Sequence, residues 1–288
     1  MSEHPQTWLI TGCSSGFGEL LVRKLRASGH NVIATGRNAD AKLAHLKDTG
    51  ASILDLDVAA PPNLIQATID KAWALYPGGI DIIVNNAGYI LTGFVEEVTP
   101  KELEDVFKTN FFGPFNITQA VLPKLRAKGS GTLLYMSSQA GWHGDATAGG
   151  YCSSKFALEG LVESLSKELA VVAPGIKVLL VEPGYYDTRA WHNINIVPPR
   201  QPDYATLNSQ TRAQVAGIIG NEPGDSVLAV DRIIELVNGT GMAAGRTIPL
   251  RVPLGSDGLD KVKTKCEETL KICQEWEDVA RSTDMKRM

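Results

Sequence analysis

The segment that decides the fold is Trp8-Leu-Ile-Thr-Gly-Cys-Ser-Ser-Gly-Phe-Gly-Glu19. A short apolar run leads into a glycine-rich turn, and residues 19–27 then repeat apolar side chains with a helical period. The segment therefore predicts a strand, a turn and a helix. Glycine tolerates a positive φ and close approach of a ligand, and the N–H groups that begin a helix stabilise a pyrophosphate. The alternative is a tight packing turn without a ligand. We expect the turn to bind a dinucleotide at Gly12, Ser14, Ser15, Gly16, Phe17 and Gly18.

The same alternation of strand and helix continues along the chain. Further strands are predicted at 31–35, 52–56, 80–85, 132–136, 177–181 and 247–250, and helices near 39–47, 64–75, 100–126, 151–172 and 227–237. Strands alternating with helices favour a parallel sheet, because right-handed crossovers place helices on both faces. The sequence thus predicts a single α/β domain over residues 1–288, a doubly wound Rossmann fold with a seven-stranded parallel sheet.

Two segments interrupt this alternation. Residues 185–224 are rich in proline, asparagine and aromatic side chains and show little periodicity, which predicts a substrate-loop insertion. Residues 256–282 carry an apolar helical face and predict a C-terminal helical tail that packs on its own domain or on another subunit. The face comprises Leu259, Val262, Cys266, Leu270, Cys273, Trp276 and Val279.

The composition excludes several classes of protein. The 288 residues carry a formal net charge of -4 and no basic block, so nucleic acid is not an expected partner. No apolar run reaches the roughly 18 residues that span a bilayer, and residues 1–7 lack the pattern of a signal peptide. The four cysteines have neither disulfide nor zinc spacing, and no metal site is expected. These features favour a cytoplasmic protein with free thiols.

The end of the second predicted strand bears on the choice of dinucleotide. An acidic residue there would bind the adenosine 2′-hydroxyl, but the sequence has Gly36 followed by Arg37. A guanidinium suits a 2′-phosphate, so NADP(H) is favoured over NAD(H). The alternative is that Arg37 is a solvated surface charge.

Several motifs in order resemble the short-chain dehydrogenase/reductase family. They are Thr11-Gly-x-x-x-Gly-x-Gly18, Asp57-Val58, Asn85-Asn-Ala-Gly88, Asn110, Ser138, Tyr151-x-x-x-Lys155, and Pro183-Gly184 with Thr188. The resemblance implies that Asp57 and Val58 contact the adenine and that Thr188 holds the nicotinamide carboxamide. It also implies that Asn86, Ala87 and Gly88 line the cofactor channel, that Pro183 and Gly184 lie at the cofactor, and that Asn110 holds a water supporting Lys155.

The chemistry of the Tyr151 motif follows from the residues themselves. Tyr151 and Lys155 stand on one helix face at i and i+4, so the ammonium is expected to lower the phenol pKa towards the working pH. Such a phenol can protonate a carbonyl oxygen while hydride reaches the carbon, or act in reverse on an alcohol. The hydroxyl of Ser138 would donate to the same oxygen. The four catalytic candidates are Asn110, Ser138, Tyr151 and Lys155.

The leading hypothesis is an NADP(H)-dependent carbonyl reductase or alcohol dehydrogenase, with reduction the favoured direction. Alternatives are a non-redox or imine-reducing member of the family, or an NADP(H)-binding regulatory or scaffold protein of the same fold. The resemblance also implies a homodimer or homotetramer that pairs through the helices near 100–126 and 151–172.

The loops after the fourth, fifth and sixth strands should form the substrate pocket, and their aromatic content favours a lipophilic or aromatic ketone or aldehyde, or the matching secondary alcohol. About half of these side chains are expected only to pack the insertion onto the domain. Ser137 is predicted to be structural, Cys13 and Cys152 to be packing residues, and His143 and His192 to be ordinary loop histidines; Glu182 receives no role. The loop residues are Tyr89, Ile90, Leu91, Phe94, Gln139, Trp142, His143, Tyr185, Tyr186, Trp191 and Tyr204.

Overall fold

The fold is built on parallel strands connected by helices. A computed structural model describes residues 5–191 and 193–285. The strands are β1 (Thr7–Ile10), β2 (Asn31–Gly36), β3 (Ser52–Asp55), β4 (Ile82–Asn85), β5 (Leu91–Thr92), β6 (Gly131–Met136), β7 (Ile176–Pro183), β8 (Asn195–Ile196) and β9 (Arg251–Leu254). The α-helices are α1 (Gly16–Ala27), α2 (Ala39–Lys42), α3 (Pro62–Trp73), α4 (Pro100–Phe107), α5 (Gly113–Lys128), α6 (Gly149–Val172), α7 (Ala205–Ile218), α8 (Ser226–Asn238), α9 (Ser256–Glu275) and α10 (Glu277–Arg281).

Seven strands pair in parallel in the order β3-β2-β1-β4-β6-β7-β9, so the predicted doubly wound sheet is confirmed. The chain runs outward from β1 to β3 and then returns to place β4 beside β1. The connections that leave the carboxyl ends of β1 and β4 therefore diverge. Open α/β sheets bind ligands at such a switch point.

Both faces of the sheet are buried under helices. Successive residues of β1 point to opposite faces. Trp8 and Ile10 pack on one face with α1 and α8, and Leu9 packs on the other with α3, α5 and α6. All three side chains are fully buried. These two apolar layers stabilise the sheet and its helices. The loops beyond the carboxyl ends of the strands are not part of either layer and can form a binding site.

Two predicted helices are interrupted. The segment 39–47 forms α2 followed by a 3-10 helix over Ala44–Thr49. The segment 100–126 forms α4 and α5, separated by a π-helical turn over Lys108–Phe112. A π-turn inserts one residue into the helical repeat and is common at functional sites. Here it contains Asn110.

The predicted strand at 247–250 is wrong in position. The last strand is β9, four residues later, and Arg251 and Val252 pair with Leu180 and Val181 of β7. Apolar residues lie on both sides of Arg251 between Ile248 and Leu254, so periodicity does not separate the two halves. Because β9 is an edge strand, its Pro253 is tolerated despite the missing N–H.

The insertion and the tail both contain more structure than their sequence patterns indicate. The insertion includes α7, and its β8 pairs with β5 to form a small second sheet. The tail forms α9 and α10; its first turn packs on the domain, whereas every residue from Cys266 to Glu275 is exposed. Within residues 5–191 and 193–285, no helix combines the length and apolar character required to cross a membrane, and no three potential metal-binding His, Cys, Asp or Glu side chains converge.

Candidate active site

The glycine turn between β1 and α1 leaves no room for side chains. Gly12 has a φ of +71°, and a Cβ there would lie 2.8 Å from the Cα of Ala87. A Cβ on Gly18 would lie 2.4 Å from the carbonyl oxygen of Gly12. Gly16 has a φ of +58° and faces Thr188, whose Cβ would lie 3.1 Å from an added Cβ. The turn is therefore closely packed between α1 and the end of β4, with its backbone accessible on the other side.

Thr11 and Asn86 fasten this turn to the end of β4. The Thr11 hydroxyl accepts from the backbone N–H groups of Asn86 and Ala87 at 3.0 and 2.9 Å. The Asn86 amide donates to the carbonyl oxygens of Thr11 and Gly12 at 2.8 and 3.2 Å. The Asn86 side chain thus holds the turn in place, while its neighbours Ala87 and Gly88 line the cavity beside it.

A cavity of about 1160 Å³ opens at the switch point and extends over the carboxyl ends of β6 and β7. Two predicted site residues do not line it: Gly18, which packs against Gly12, and Asn110, which is buried below it. The predicted residues that line it are Gly12, Ser14, Ser15, Gly16, Phe17, Arg37, Asp57, Val58, Asn86, Ala87, Gly88, Ser138, Tyr151, Lys155, Pro183, Gly184 and Thr188.

Two cations lie at one end of the cavity, which Asp57 also lines. Arg37 follows β2, is exposed and forms no ion pair with any residue in the part of the chain that the structure describes. Lys42, in the last turn of α2, lines the same end of the cavity. Sequence reasoning missed Lys42, although a lysine five residues after Arg37 in a short helix was a usable signal. The two cations face a region that a negatively charged group can enter.

Tyr151, Lys155 and Ser138 meet in the middle of the cavity. Tyr151 lies in the first turn of α6, and Lys155 follows one turn later with its Nζ 5.7 Å from the centre of the Tyr151 ring. Lys155 Nζ donates to the carbonyl oxygen of Met136, at the end of β6, at 2.7 Å. Ser138 begins the next turn, and its Oγ accepts from the N–H of Ala140 at 3.1 Å. This leaves the Ser138 hydroxyl hydrogen free to donate.

Burial has the largest effect on the pKa values of Tyr151 and Lys155. The pKa of the Tyr151 phenol is therefore higher than the sequence predicts. Burial raises the pKa of Tyr151 to about 12, against the opposing effect of a hydrogen bond with Ser138. Burial also lowers the pKa of Lys155 to about 8. The i, i+4 spacing predicts a lowered phenol pKa, but the loss of hydration on burial is the largest effect on Tyr151. At neutral pH the phenol is protonated and can act as an acid.

Asn110 and Ser154 fix Tyr151 from below. The Asn110 side chain accepts from the N–H of Tyr89 at 3.1 Å and donates to the Tyr89 carbonyl at 3.0 Å and to Ser154 Oγ at 3.1 Å. Ser154 Oγ in turn donates to the carbonyl oxygen of Tyr151 at 2.7 Å. The π-turn therefore connects the loop after β4 to the first turn of α6. Sequence reasoning missed Ser154, which carries no motif of its own.

The substrate side of the cavity is aromatic and polar. Tyr185 and Trp191 pack edge to face with ring centres 4.8 Å apart. About half of the proposed loop residues line the cavity, in agreement with the expectation that the others only pack the insertion onto the domain. Besides Tyr185 and Trp191, those that line it are Tyr89, Ile90, Gln139 and Tyr186, and those that do not are Leu91, Phe94, Trp142, His143 and Tyr204. His192 lies outside the described residues. Helix α7 adds a wall of Thr211, Gln214, Val215 and Ile218 that the sequence did not reveal.

Glu97 anchors the insertion to the domain. Its carboxylate accepts from the backbone N–H groups of Arg200 and Gln201 at 2.7 and 2.9 Å and from the Asn208 amide at 2.9 Å. These contacts, led by the Gln201 N–H, lower the pKa of Glu97. Phe94 and Tyr204 stack beside it with ring centres 4.7 Å apart. The insertion is thus fixed at the residues that lead into α7.

Asp257, at the start of α9, supports the opposite wall. Its Oδ2 accepts from the N–H of Tyr185 at 2.7 Å, and a Cβ on Gly184 would lie 2.2 Å from its Oδ1. Lys261, one turn later, lies 3.3 Å from Asp145 and 5.5 Å from the centre of the Tyr185 ring. The tail therefore packs its first turns on its own domain, at the loop that follows β7.

The two cysteines at the site are packing residues. Cys13 is fully buried, and burial raises the pKa of its thiol to about 12. Burial also raises the pKa of the Cys152 thiol. A thiol is a poor nucleophile until it is deprotonated, so neither side chain is suited to attack a substrate.

The glycine turn and the Tyr151-x-x-x-Lys155 pair are among the motifs by which the sequence resembles one known family. The sequence model described as short chain dehydrogenase matches residues 6–197. The chain belongs to the short-chain dehydrogenase/reductase family. It is an oxidoreductase of that family with a single Rossmann-like domain.

Three members illustrate the similarity. The crystal structure of a short-chain dehydrogenase from Streptomyces avermitilis is 35% identical, with a TM-score of 0.84 over 99% of this chain and 100% of that chain. An uncharacterized oxidoreductase of Bacillus subtilis, YusZ, is 36% identical over 240 residues, 79% of this chain and 83% of the relative. A 3-ketodihydrosphingosine reductase of Bacteroides thetaiotaomicron is 36% identical over 203 residues, 70% of this chain and 72% of the relative.

Proposed function

We propose that this short-chain dehydrogenase is an NADP(H)-dependent oxidoreductase. It transfers hydride between the nicotinamide and a lipophilic or aromatic ketone or aldehyde, or the matching secondary alcohol. The observation that carries the proposal is that Tyr151, Lys155 and Ser138 line the same cavity as the glycine turn. An acid, a cation and a hydroxyl donor beside a dinucleotide-binding turn suit hydride transfer to a carbonyl group.

In the proposed reduction, Tyr151 is the general acid. When bound, NADPH supplies the hydride. The phenol of Tyr151 gives its proton to the carbonyl oxygen, and Ser138 donates a hydrogen bond to the same oxygen. The ammonium of Lys155, held by the carbonyl of Met136, stabilises the phenolate that remains. In the reverse direction the phenolate accepts the proton of the alcohol. Asn110 positions this group through Ser154, and its role in holding a water for Lys155 stays a prediction.

The cavity fits a phosphorylated dinucleotide. The close packing on one side of Gly12, Gly16 and Gly18 leaves the backbone of the turn open on the other, and the N-terminus of α1 favours a pyrophosphate. Arg37 and Lys42 support NADP(H) over NAD(H), because both can contact a 2′-phosphate. In the same proposal Asp57 and Val58 contact the adenine, and Pro183, Gly184 and Thr188 lie at the nicotinamide.

The lining of the substrate side supports a neutral substrate. It is mainly aromatic, aliphatic and uncharged polar, and the other charged side chains that line the cavity besides Arg37, Lys42 and Asp57 are Asp105, Lys108, Asp145 and Lys155. A carboxylate or a phosphate would lack a paired cation there, because Arg37 and Lys42 lie at the other end. The ketone named for the 3-ketodihydrosphingosine reductase relative is consistent with a lipophilic carbonyl substrate.

We also propose a cytoplasmic homodimer or homotetramer. The helices through which relatives were expected to pair carry large exposed apolar side chains, namely Leu103 on α4, Phe112 at the π-turn and Phe156 on α6. Exposed apolar side chains of this size on these three neighbouring elements are typical of contact surfaces.

The test is turnover of a substrate panel by the purified protein. Aromatic and long-chain ketones should be reduced with NADPH, whereas sugar phosphates and keto acids should not. Tyr151→Phe should lower kcat by roughly 10² to 10⁴ and leave NADPH affinity unchanged, because it removes only the proton donor. Tyr89→Phe removes a phenol hydroxyl from the same cavity and should retain activity. Tight NADPH binding without turnover of any compound would instead indicate a regulatory or scaffold protein.

A further inference from the structure

Behind Lys155, three carboxylates meet a single guanidinium. Glu182, in β7, has a fully buried side chain, and Glu159 of α6 is 6% exposed. Glu159 follows Lys155 by one helical turn, and Glu163 follows by a second turn. Arg251, the first residue of β9, faces all three. The proposed mechanism uses none of these four groups.

Arg251 does not neutralise all three carboxylates equally. Its Nε lies 2.7 Å from Glu159 Oε2, and its Nη2 lies 2.8 Å from Glu163 Oε2. Its distance to Glu182 Oε1 is 3.7 Å, too long for a hydrogen bond. Among the described residues, no donor forms a hydrogen bond with either oxygen of Glu182 or with Oε1 of Glu159. The Trp142 indole is a neighbouring donor of Glu182, but none of these three buried oxygens receives a hydrogen bond of ordinary geometry.

An ionised carboxylate without a hydrogen-bond donor is unfavourable in the protein interior. Two neighbouring buried carboxyl groups avoid this cost when they share one proton, because only one of them is then ionised. Burial, followed by the negative charge of Glu159, raises the pKa of Glu182 to about 7; the Trp142 indole and the Arg251 charge act in the opposite direction. Arg251 donates to Glu159 at close range and does not reach Glu182. The proton therefore resides on Glu182.

Glu159 also faces the lysine. Tyr151, Lys155 and Glu159 are spaced by four residues and form one stripe along α6. The negative charge of Glu159 raises the pKa of Lys155, against the larger lowering by burial. The charged form of Lys155, which stabilises the phenolate in the proposed mechanism, is thus favoured by Glu159.

We propose that Glu182 and Glu159 share one proton, which resides on Glu182, and that the Glu159 carboxylate is a positioning residue that favours the charged form of Lys155. The second half of this statement rests on the proposed function, because it gives Lys155 its catalytic purpose; the shared proton does not. Asp257 of α9, which also packs near the end of β7, is turned to the N–H of Tyr185. The charged groups that face the pair are Lys155 and Glu163 from α6 and Arg251 from β9, beside the neutral Trp142 from the turn after β6.

The first experiment measures unfolding of the ligand-free protein between pH 5 and pH 9. Because the folded-state pKa of Glu182 is raised from 4.5 to about 7, its stabilising proton is lost as pH rises through 7. The midpoint of wild-type unfolding should therefore fall over this interval relative to Glu182→Gln, which carries a permanent donor. Glu163→Gln is the matched control and should fall as the wild type does, since that carboxylate is ionised throughout, with a pKa of about 2. Parallel curves for wild type and Glu182→Gln would overturn the shared proton.

The second experiment follows the titration of Lys155 by NMR of protein labelled at lysine Cε, with Lys155→Arg to assign the resonance. Glu159→Gln should lower the titration midpoint by about one pH unit, the typical effect of a nearby charge. Glu163→Gln, which removes a carboxylate two helical turns from Lys155, is the matched control and should leave the midpoint unchanged. An unchanged midpoint in Glu159→Gln would overturn the pair's effect on Lys155.

A second variant allows the same test if the first does not fold. If Glu159→Gln fails to fold, Glu159→Leu removes the same negative charge and should also lower the Lys155 midpoint; no change would overturn the proposal. Neither experiment requires a substrate. Failure to find reductase activity would therefore count against the proposed function and not against the proton pair.

Discussion

Replacing Gly18 with alanine should separate steric packing in the nucleotide turn from helix propensity. Gly18 is the third residue of α1, and an added Cβ would lie 2.4 Å from the Gly12 carbonyl oxygen and 2.7 Å from the Asn86 amide nitrogen. Both atoms belong to the network that fastens the turn to β4, so neither can move freely. Overpacking of this kind costs about 1 to 3 kcal/mol, against a gain of up to about 1 kcal/mol from helix propensity.

The expected net loss is about 1 to 2 kcal/mol, or roughly 2 to 8 °C in Tm for a chain of this size. Gly160→Ala is the matched control, because Gly160 lies within α6 and has no neighbour within 4 Å of an added Cβ. It should raise Tm slightly. Thermal unfolding and NADPH titration followed by fluorescence measure both effects, and Gly18→Ala should also weaken NADPH binding. Equal Tm changes in the two variants would refute the close contact between α1 and the turn.

Three further predictions concern the cofactor, the insertion and pH. Arg37→Ser should weaken NADPH binding about tenfold and leave NADH binding unchanged, because it removes one charge-assisted contact with the 2′-phosphate at an exposed position. If fluorescence titrations show that NADPH and NADH lose affinity equally, Arg37 does not bind the 2′-phosphate. Glu97→Gln places an amide N–H against the backbone donors of Arg200 and Gln201 and loosens the insertion that forms a wall of the cavity. KM should therefore rise by up to about tenfold with little change in kcat. Glu96→Gln keeps an acceptor for Tyr204 and is the control, which should leave KM unchanged. The pKa of Lys155 is lowered to about 8, so its charge is present below pH 8 and lost above it; kcat/KM should decline above about pH 8, and a flat profile to pH 10 would contradict this assignment.

The sheet could be predicted from the sequence because both of its faces are buried. Apolar strand residues and helical periods repeat strongly in that arrangement, and the glycine turn marks the switch point. The predicted position of the last strand was wrong because the local sequence pattern fits more than one strand position. The apolar run that contains Thr247 and Leu254 allows several strand positions, and pairing with β7 selects the later one.

The candidate site could be predicted only where a motif carries it. Tyr151, Lys155 and Ser138 have characteristic spacing, whereas Ser154, Glu97 and Asp257 act through contacts with residues far away in sequence. The pKa of Tyr151 was predicted in the wrong direction because the i, i+4 spacing reveals the neighbouring charge but not the degree of burial. Helix α7 was missed because its apolar face is interrupted by polar residues that line the cavity.

The most direct test of the proposed chemistry is to follow deuterium from NADPH in which both hydrogens at the nicotinamide C4 are replaced by deuterium. Wild-type protein incubated with labelled NADPH and an aromatic ketone should yield an alcohol that carries one deuterium on the former carbonyl carbon, detected by mass spectrometry. Tyr151→Phe should bind the labelled NADPH equally well and form this alcohol at a greatly reduced rate. Formation of the alcohol without deuterium, or at the same rate in Tyr151→Phe, would contradict hydride transfer with Tyr151 as the acid.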